Sequence, residues 1–212
     1  MLADHKGNIA VLAGNNQKKT RYIMESIKAG YHVLADKPLA INPQDFKLLT
    51  EAYQLAKEKN LLLYDLMTER YDILNIIEKE LLHQTELFGD LQKGSPDNPS
   101  VIMESVHHFF KTVSGKPLIR PAWYYDVEQQ GEGIADVTTH LIDLINWQCF
   151  PDKTIHYQSD VTVNAAKHWA TPITLAEFSQ STQVDSFPAY LNRYIKNLSL
   201  IHISEPTRRR GI

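Results

Sequence analysis

Residues 31–38 read Tyr-His-Val-Leu-Ala-Asp-Lys-Pro, a short apolar run that ends in an acidic residue, a lysine and a proline. Residues 8–13 and 61–65 are apolar runs of similar length, and segments with helical spacing over about 18–29 and 42–59 separate the three runs. Strands that alternate with helices are typical of a parallel sheet built with right-handed crossovers. The first third of the chain therefore predicts an α/β fold.

Start and stop residues support both helices. Gly30 stands where the first helix should stop, and Asn42 and Pro43 stand where the second should begin. Helical spacing predicts one buried face on each helix. The predicted buried residues are Tyr22, Ile23, Ser26 and Ile27 in the first helix and Phe46, Leu49, Tyr53 and Ala56 in the second.

The remainder of the chain is less regular. We predict an amphipathic helix over 71–84, strands over 88–93 and 155–163, a helix over 134–147, and short helices over 174–180 and 189–196. The 134–147 helix should bury Ile134, Val137, Leu141, Leu144 and Ile145. Residues 199–212 show neither helical nor strand spacing and resemble read-through from a sequencing adapter. The alternative is that Arg208, Arg209 and Arg210 form an anion or nucleic-acid patch.

Composition excludes several classes of protein. The 212 residues carry a net charge of −3, which lacks the basic field of a nucleic-acid-binding protein. The single cysteine, Cys149, excludes an intrachain disulfide and a multi-cysteine zinc site. No apolar run approaches the roughly 20 residues that span a bilayer, and no signal pattern opens the chain. We therefore expect a cytoplasmic protein that binds neither nucleic acid nor membrane.

The nine glycines form no Gly-x-Gly-x-x-Gly motif and no Walker-type loop. Both motifs use glycines to bring the backbone close to phosphates. A complete nucleotide-binding domain of these common types is therefore not contained in the sequence.

Polar residues follow two neighbouring predicted strands. Gly14, Asn15 and Asn16 end the first strand, and Lys37 ends the second. Ligands of open parallel sheets bind outside the carboxyl ends of the strands, so both loops should face one crevice. Amide side chains there can bind a ribose or an amide, and a lysine can donate a proton. The alternative for Lys37 is a surface lysine in a turn.

A second cluster lies in the predicted 134–147 helix. Asp136, His140 and Asp143 are spaced i, i+4, i+7 and share one helical face. A carboxylate one turn before a histidine can orient its imidazole, which suits a general acid or base. The alternative is a satisfied polar stripe at a domain interface.

Taken together, these segments resemble the Gfo/Idh/MocA oxidoreductases. Ala35-Asp-Lys-Pro38 is similar to the Glu-Lys-Pro motif of that family, and residues 131–144 are similar to its Gly-Gly-x-x-x-Asp-x-Gly-x-His-x-x-Asp helix. Residues 120–126 resemble the segment that precedes this helix. The resemblance covers roughly residues 8–195.

The resemblance implies the second half of a Rossmann parallel sheet over 1–66 and a partial α/β domain with an open sheet over 67–198, leaving 199–212 as a tail that is not native. It implies that the chain is a fragment, truncated at both ends. It also implies hydride transfer between NAD or NADP and a sugar, polyol or related carbinol, in a homo-oligomer formed through the second-domain sheet. Asp36 and Thr138 depart from the family's usual Glu and Gly, which leaves the reaction class intact but the substrate open.

The resemblance assigns catalysis to Lys37, His140 and Asp136, with Asp136 as the partner of His140. Together with the residues themselves, it gives the expected contacts of the two ligands. The expected cofactor contacts are Gly14, Asn15, Asn16, Asp36, Lys37, Pro38 and Trp123. The expected substrate contacts are Lys37, Tyr71, His107, Arg120, Asp136 and His140.

Two alternatives remain open at this point. The first is a metal-dependent hydrolase or isomerase that uses His107, His140 and nearby carboxylates. The second is a non-catalytic protein of the same fold. We nevertheless predict no metal site, because adjacent histidines such as His107 and His108 seldom bind one ion with good geometry.

Overall fold

The computed structural model describes residues 7–105, 110–167, 169–204 and 208–210. The helices are α1 (Lys19–Lys28), α2 (Pro43–Glu58), α3 (Ile73–Leu82), α4 (Thr85–Phe88), α5 (Val127–Gln130), α6 (Thr139–Cys149) and α7 (Leu175–Thr182). The strands are β1 (Ile9–Leu12), β2 (His32–Asp36), β3 (Leu63–Leu66), β4 (Ile102–Glu104), β5 (Thr112–Val113), β6 (Lys116–Pro117), β7 (Trp169–Thr174), β8 (Ile195–Lys196), β9 (Ser199–Ser204) and β10 (Arg208–Arg210).

The chain divides into two compact units. Unit one contains the described residues of Met1–Leu66, His108–Asp136 and Ala170–Ser204. Unit two contains those of Met67–His107, Val137–Trp169 and Glu205–Ile212.

Unit one begins with a three-stranded parallel sheet, which confirms the α/β prediction. The strand order is β1-β2-β3, with Ile9 opposite His32 in one pair and Val33 opposite Leu63 in the other. The central strand is the most buried, because Val33 and Ala35 are completely covered. Helices α1 and α2 pack beside each other and complete this core.

Local chemistry sets the ends of these helices. The side-chain oxygen of Asn42 accepts a hydrogen bond of 2.8 Å from the backbone N–H of Asp45, with Pro43 in the first helical position. Gly30 follows α1 with a φ of +87°, a conformation that glycine adopts without steric cost. The predicted start and stop residues are therefore confirmed.

The predicted buried faces are too wide. Ile23, Ser26, Ile27, Leu49 and Ala56 are buried as expected, but Tyr22, Phe46 and Tyr53 are exposed. A helix that packs on one side buries a single stripe, and these aromatic residues lie outside it.

Unit one also holds a second core, built around Tyr125 and Phe178. Strands β7, β9 and β8 form a three-stranded sheet in which β8 and β9 are antiparallel. In α7, the first turn is closed by reciprocal hydrogen bonds between Thr174 and Glu177. Strand β9 corrects the prediction that no regular structure follows Ser199. Leu200 and His202 are two positions apart and therefore lie on the same face of β9. Both are buried against this core, Leu200 completely.

Unit two contains α3, α4 and α6. The segment 88–93 is not the predicted strand, because α4 ends at Phe88 and irregular chain follows. The segment 155–163 is not a strand either, and it contains a turn in which the Asp160 carboxylate accepts from the backbone N–H of His156. Apolar residues occur in both segments, but no neighbouring strand pairs with them in the described part of the chain.

Two helices of this unit bury less than their sequences predict. None of the residues of α3 is buried, although the apolar spacing over 71–84 predicted a covered face. In the 134–147 segment Leu144 and Ile145 are buried, whereas Ile134 is exposed at the beginning of the helix.

Candidate active site

Lys37 lies at the carboxyl end of the central strand β2, where the sequence placed it. The peptide bond between Lys37 and Pro38 is cis. The Lys37 ammonium donates to Asp136, at 2.8 Å from the backbone oxygen and 2.5 Å from Oδ1. The Asp136 residue is only 7% exposed, so this ion pair is largely shielded from water. The two residues are thus brought together by the fold across 99 positions of sequence.

The position of Asp136 depends on an irregular start of its helix. Residues Ile134–Thr138 form a π turn that continues directly into α6. Such π turns inside α-helices occur frequently at functional sites. Gly131 precedes the turn with a φ of +91°, and a Cβ there would lie 2.9 Å from Cγ2 of Ile41. Gly131 therefore meets two demands, an unusual backbone angle and a close approach.

We expect Gly131→Ala to destabilise unit one by about 2–4 kcal/mol, from backbone strain plus the clash with Ile41. The matched control is Gly30→Ala, because Gly30 has a similar φ of +87° with open space around the added Cβ. That control should cost only about 1 kcal/mol, the strain alone. Urea unfolding measures both free energies. Equal losses in the two variants would show that the approach to Ile41 has no effect.

In unit two, the helix that carries His140 contacts the 3-10 turn Thr68–Tyr71 through two pairs of side chains. The Nδ1 atom of His140 lies 2.5 Å from Oε2 of Glu69, in the 3-10 turn Thr68–Tyr71. The neighbouring Arg70 binds Asp143 through two nitrogens, with Nε 2.7 Å from Oδ2. Asn75 donates a further 2.8 Å hydrogen bond to the Glu69 backbone oxygen. The turn and helix α6 are therefore joined by the Arg70–Asp143 ion pair and by the adjacent contact between Glu69 and His140.

Glu69 is a candidate site residue that the sequence patterns do not reveal. The sequence predicted Asp136 as the carboxylate that orients His140, whereas the structure places Asp136 on Lys37 and Glu69 on His140 Nδ1. Helical spacing cannot reveal Glu69, because it lies in a short turn 71 positions before His140. Near Glu69 in the sequence, the only signal for a contact with α6 is Arg70, because the Asp143 carboxylate on that helix requires a cation.

The two asparagines after β1 have partners within unit one. The buried Asn16 donates from its backbone to Gln129 O at 3.1 Å and from Nδ2 to Gln130 O at 2.8 Å. Asn15 donates from Nδ2 to Gln129 Oε1 at 2.9 Å. These contacts hold the loop that follows β1 against α5. A cofactor contact of Asn15 or Asn16 stays a prediction.

The other predicted site residues differ in their surroundings. Asp36 is half-buried at the end of β2, Pro38 is buried, and Gly14 is exposed after β1. Tyr71 is 71% exposed at the end of its turn. His107 and His108 lie outside the described residues.

Arg120 and Trp123 belong to the segment that precedes Gly131. The Arg120 guanidinium lies over the ring of Tyr124, 4.5 Å from its centroid, and its backbone N–H donates to Ser181 O. Trp123 is half-buried in the 3-10 turn Ala122–Tyr125. Burial raises the pKa of the Tyr124 phenol, and the negative charge of Asp136 raises it further. Tyr124 therefore stays protonated at neutral pH.

The described residues contain no group of three or more His, Cys, Asp or Glu side chains placed to hold a metal ion. In the same part of the chain, no helix has the length and apolar character needed to cross a bilayer.

Two family models match the chain. Residues 77–206 match "Putative oxidoreductase C terminal domain", and residues 1–65 match "Oxidoreductase family, NAD-binding Rossmann fold". No curated protein gives a significant match.

Solved structures are similar over most of the chain. A crystal structure of a "putative oxidoreductase" from Parabacteroides merdae is 50% identical over 95% of this chain and 46% of its own, with a TM-score of 0.90. The chain therefore spans about half the length of that protein. An NAD-binding protein from Listeria innocua (20% identity, 82% and 42% coverage, TM-score 0.50) shares the fold. So does GenD2 from gentamicin A biosynthesis, solved with NAD (17% identity, 80% and 41% coverage, TM-score 0.53).

Proposed function

We propose that this chain, which belongs to the Gfo/Idh/MocA family of oxidoreductases, carries the proton-transfer residues of a dehydrogenase acting on a sugar, polyol or related carbinol. The cofactor is of the NAD type, as the family's Rossmann fold implies. We further propose that residues 1–66 serve the cofactor and that residues 67–198 serve mainly the substrate. The GenD2 complex with NAD is consistent with this cofactor class.

The observation that carries the proposal is the shielded ion pair of Lys37 and Asp136. A lysine ammonium has three N–H donors. In the described part of the chain Asp136 takes two of them, one at its backbone oxygen and one at Oδ1. The Lys37 side chain keeps 18% of its surface exposed, which leaves its third donor available to a ligand oxygen. A fixed cation of this kind stabilises an alkoxide as negative charge develops.

His140 has the features of a general base. The Glu69 carboxylate beside Nδ1 favours the tautomer with its proton on that nitrogen, in which Nε2 carries the basic lone pair. A base of this type accepts a hydroxyl proton when the oxygen is within about 3 Å or one water away. We propose that Nε2 takes the proton of the substrate hydroxyl.

The residues at the end of the parallel sheet fit a nicotinamide. Gly14 has open space where a Cβ would stand, so a planar ring can approach the backbone there. Lys37, at the end of the next strand, offers a hydrogen-bond donor. When bound, the nicotinamide supplies the acceptor for the hydride that leaves the carbinol carbon. Gly14 and Lys37 would hold it, with Asn15 next to Gly14 in the same loop.

Oxidation of a carbinol removes a hydride from carbon and a proton from oxygen. The carbinol C–H bond breaks with its electron pair, the O–H proton goes to His140, and the C–O bond becomes a carbonyl. Lys37 stabilises the oxygen between these events, and Asp136 holds Lys37 in place. Glu69 stabilises the imidazolium that His140 becomes.

The test uses a chimera in which residues 7–204 replace the matching segment of the Parabacteroides merdae protein. The chimera is screened with sugars and polyols and with NAD⁺ or NADP⁺, following the absorbance of the reduced nicotinamide. We expect reduction with at least one carbinol substrate. Metal-dependent hydrolysis without any nicotinamide reduction would contradict the proposal.

A further inference from the structure

Two consecutive polar side chains at the beginning of α1 are almost completely buried. Lys19 is 2% exposed and Thr20 is 1% exposed. Polar groups are rarely buried to this extent unless they are hydrogen-bonded. Lysine is among the residues that are buried most rarely. Both must therefore have a role inside unit one.

Their acceptors are the backbone oxygens around Lys37. The Lys19 ammonium donates to Asp36 O at 2.9 Å and, at a longer 3.4 Å, to Lys37 O. The Thr20 hydroxyl donates to Leu39 O at 2.5 Å. The first turn of α1 thus holds the chain both before and after Pro38.

An apolar side chain would fill the space of Lys19 at lower cost, because burying an ammonium requires its removal from water. That side chain would leave the oxygens of Asp36 and Lys37 without their donor. A donor at this position fixes the backbone from which the Lys37 side chain extends to Asp136.

We propose that Lys19 and Thr20 are positioning residues that hold the Asp36–Leu39 turn so that the Lys37 ammonium meets Asp136. This inference rests on the proposed function for the role of Lys37, but the geometry that it concerns lies wholly within unit one. Neither residue touches the reacting atoms in this scheme. Both act through the backbone of the turn.

The surroundings of Lys19 lower its pKa but keep the ammonium protonated at neutral pH. Burial lowers the pKa of Lys19 to about 8, and the positive charge of Lys37 lowers it as well. The carboxylates of Asp36 and Asp136 act in the opposite direction. The charged form is therefore held by the two acidic residues and the backbone oxygens together.

The test measures the acylation rate of individual lysines in the 212-residue chain by mass spectrometry. The rate at Lys37 is divided by that at the exposed Lys47. We expect Lys19→Met to raise this ratio about fivefold, the factor that corresponds to a loss of ~1 kcal/mol. Thr20→Val should raise it in the same direction, and Lys19→Arg should restore the wild-type ratio because it keeps the donors.

Two controls separate positioning from general loss of stability. Ile27→Val removes a buried methyl group from the same helix and should leave the ratio unchanged, as should Lys28→Met at an exposed position. An unchanged ratio in Lys19→Met, or an equal rise in Ile27→Val, would overturn the proposal. No cofactor, substrate or turnover enters this measurement, so an inactive chimera would not alter its outcome.

The pH dependence gives a second readout. The folded chain loses the Lys19 proton at about pH 8, whereas the unfolded chain keeps it until about pH 10.5. The unfolded state thus binds more protons in this window, and stability should rise with pH there. Relative to Lys19→Met, the wild-type urea midpoint should rise between pH 8 and 10. Parallel curves would show that Lys19 is not a buried ammonium and would overturn the charge-based part of the inference.

Discussion

Lys37→Ala and His140→Ala are each expected to lower the turnover of the chimera by about 10²-fold or more, the usual scale for groups that transfer or stabilise a proton. Lys37→Ala removes the cation that faces the developing alkoxide and leaves Asp136 as a shielded carboxylate without its counter-ion. His140→Ala removes the base itself. Steady-state kinetics with the best substrate from the screen give both values.

Lys28→Ala is the matched control for this pair, because Lys28 lies on the exposed surface of α1 in an ion pair with Glu25. Its turnover should equal that of the unmodified chimera. Glu69→Gln provides a finer test. We expect it to change the pH profile of turnover, since Glu69 stabilises the protonated His140. Near-normal turnover in both alanine variants would remove the mechanism and leave only the fold.

The second large effect concerns binding of the cofactor. The sequence contains no glycine-rich phosphate loop, and dinucleotide affinity depends strongly on pyrophosphate contacts made by such a loop and a helix N-terminus. Calorimetry should therefore show a dissociation constant for NADH of about 100 μM or weaker with the 212-residue chain. The chimera, which adds the remaining segments of its relative, should bind about 10²-fold more tightly, as loss of ~3 kcal/mol of phosphate contacts implies.

The control for the binding experiment is ADP-ribose, which carries the pyrophosphate but no nicotinamide. It should bind the chimera and give no measurable signal with the 212-residue chain. A low-micromolar constant for NADH with the 212-residue chain would mean that Gly14, Lys37 and their neighbours suffice for affinity. The reliance on a phosphate loop would then be wrong.

The parallel sheet of unit one could be predicted because each of its elements carries its own signal. Val33 and Ala35 belong to a short apolar run, and Asn42 and Gly30 mark helix ends through side-chain and backbone chemistry that acts locally. The position of Lys37 directly after a parallel strand could be predicted in the same way. Its contact with a ligand stays a prediction, based on where open parallel sheets bind ligands.

Features that depend on residues far apart in the chain could not be predicted from the sequence. Glu69 lies in a turn with no periodicity, and only the folded chain brings it to His140. The segment 155–163 has apolar residues but no strand beside it, whereas β9 gains its structure from pairing with β8. Lys19 reads as an ordinary surface residue until the fold covers it.

The Arg70–Asp143 ion pair and the adjacent Glu69–His140 contact also restrict how α6 can be placed against the Thr68–Tyr71 turn. Glu69 meets His140, and Arg70 meets Asp143, which lies three residues farther along the helix. Sliding the helix by one turn in one direction would set the Glu69 carboxylate against that of Asp143. Sliding it the other way would set Arg70 against His140 and leave Asp143 without a cation. Because each neighbouring register puts like charges together or strands a carboxylate, the charge order itself selects against misaligned packing as the chain folds.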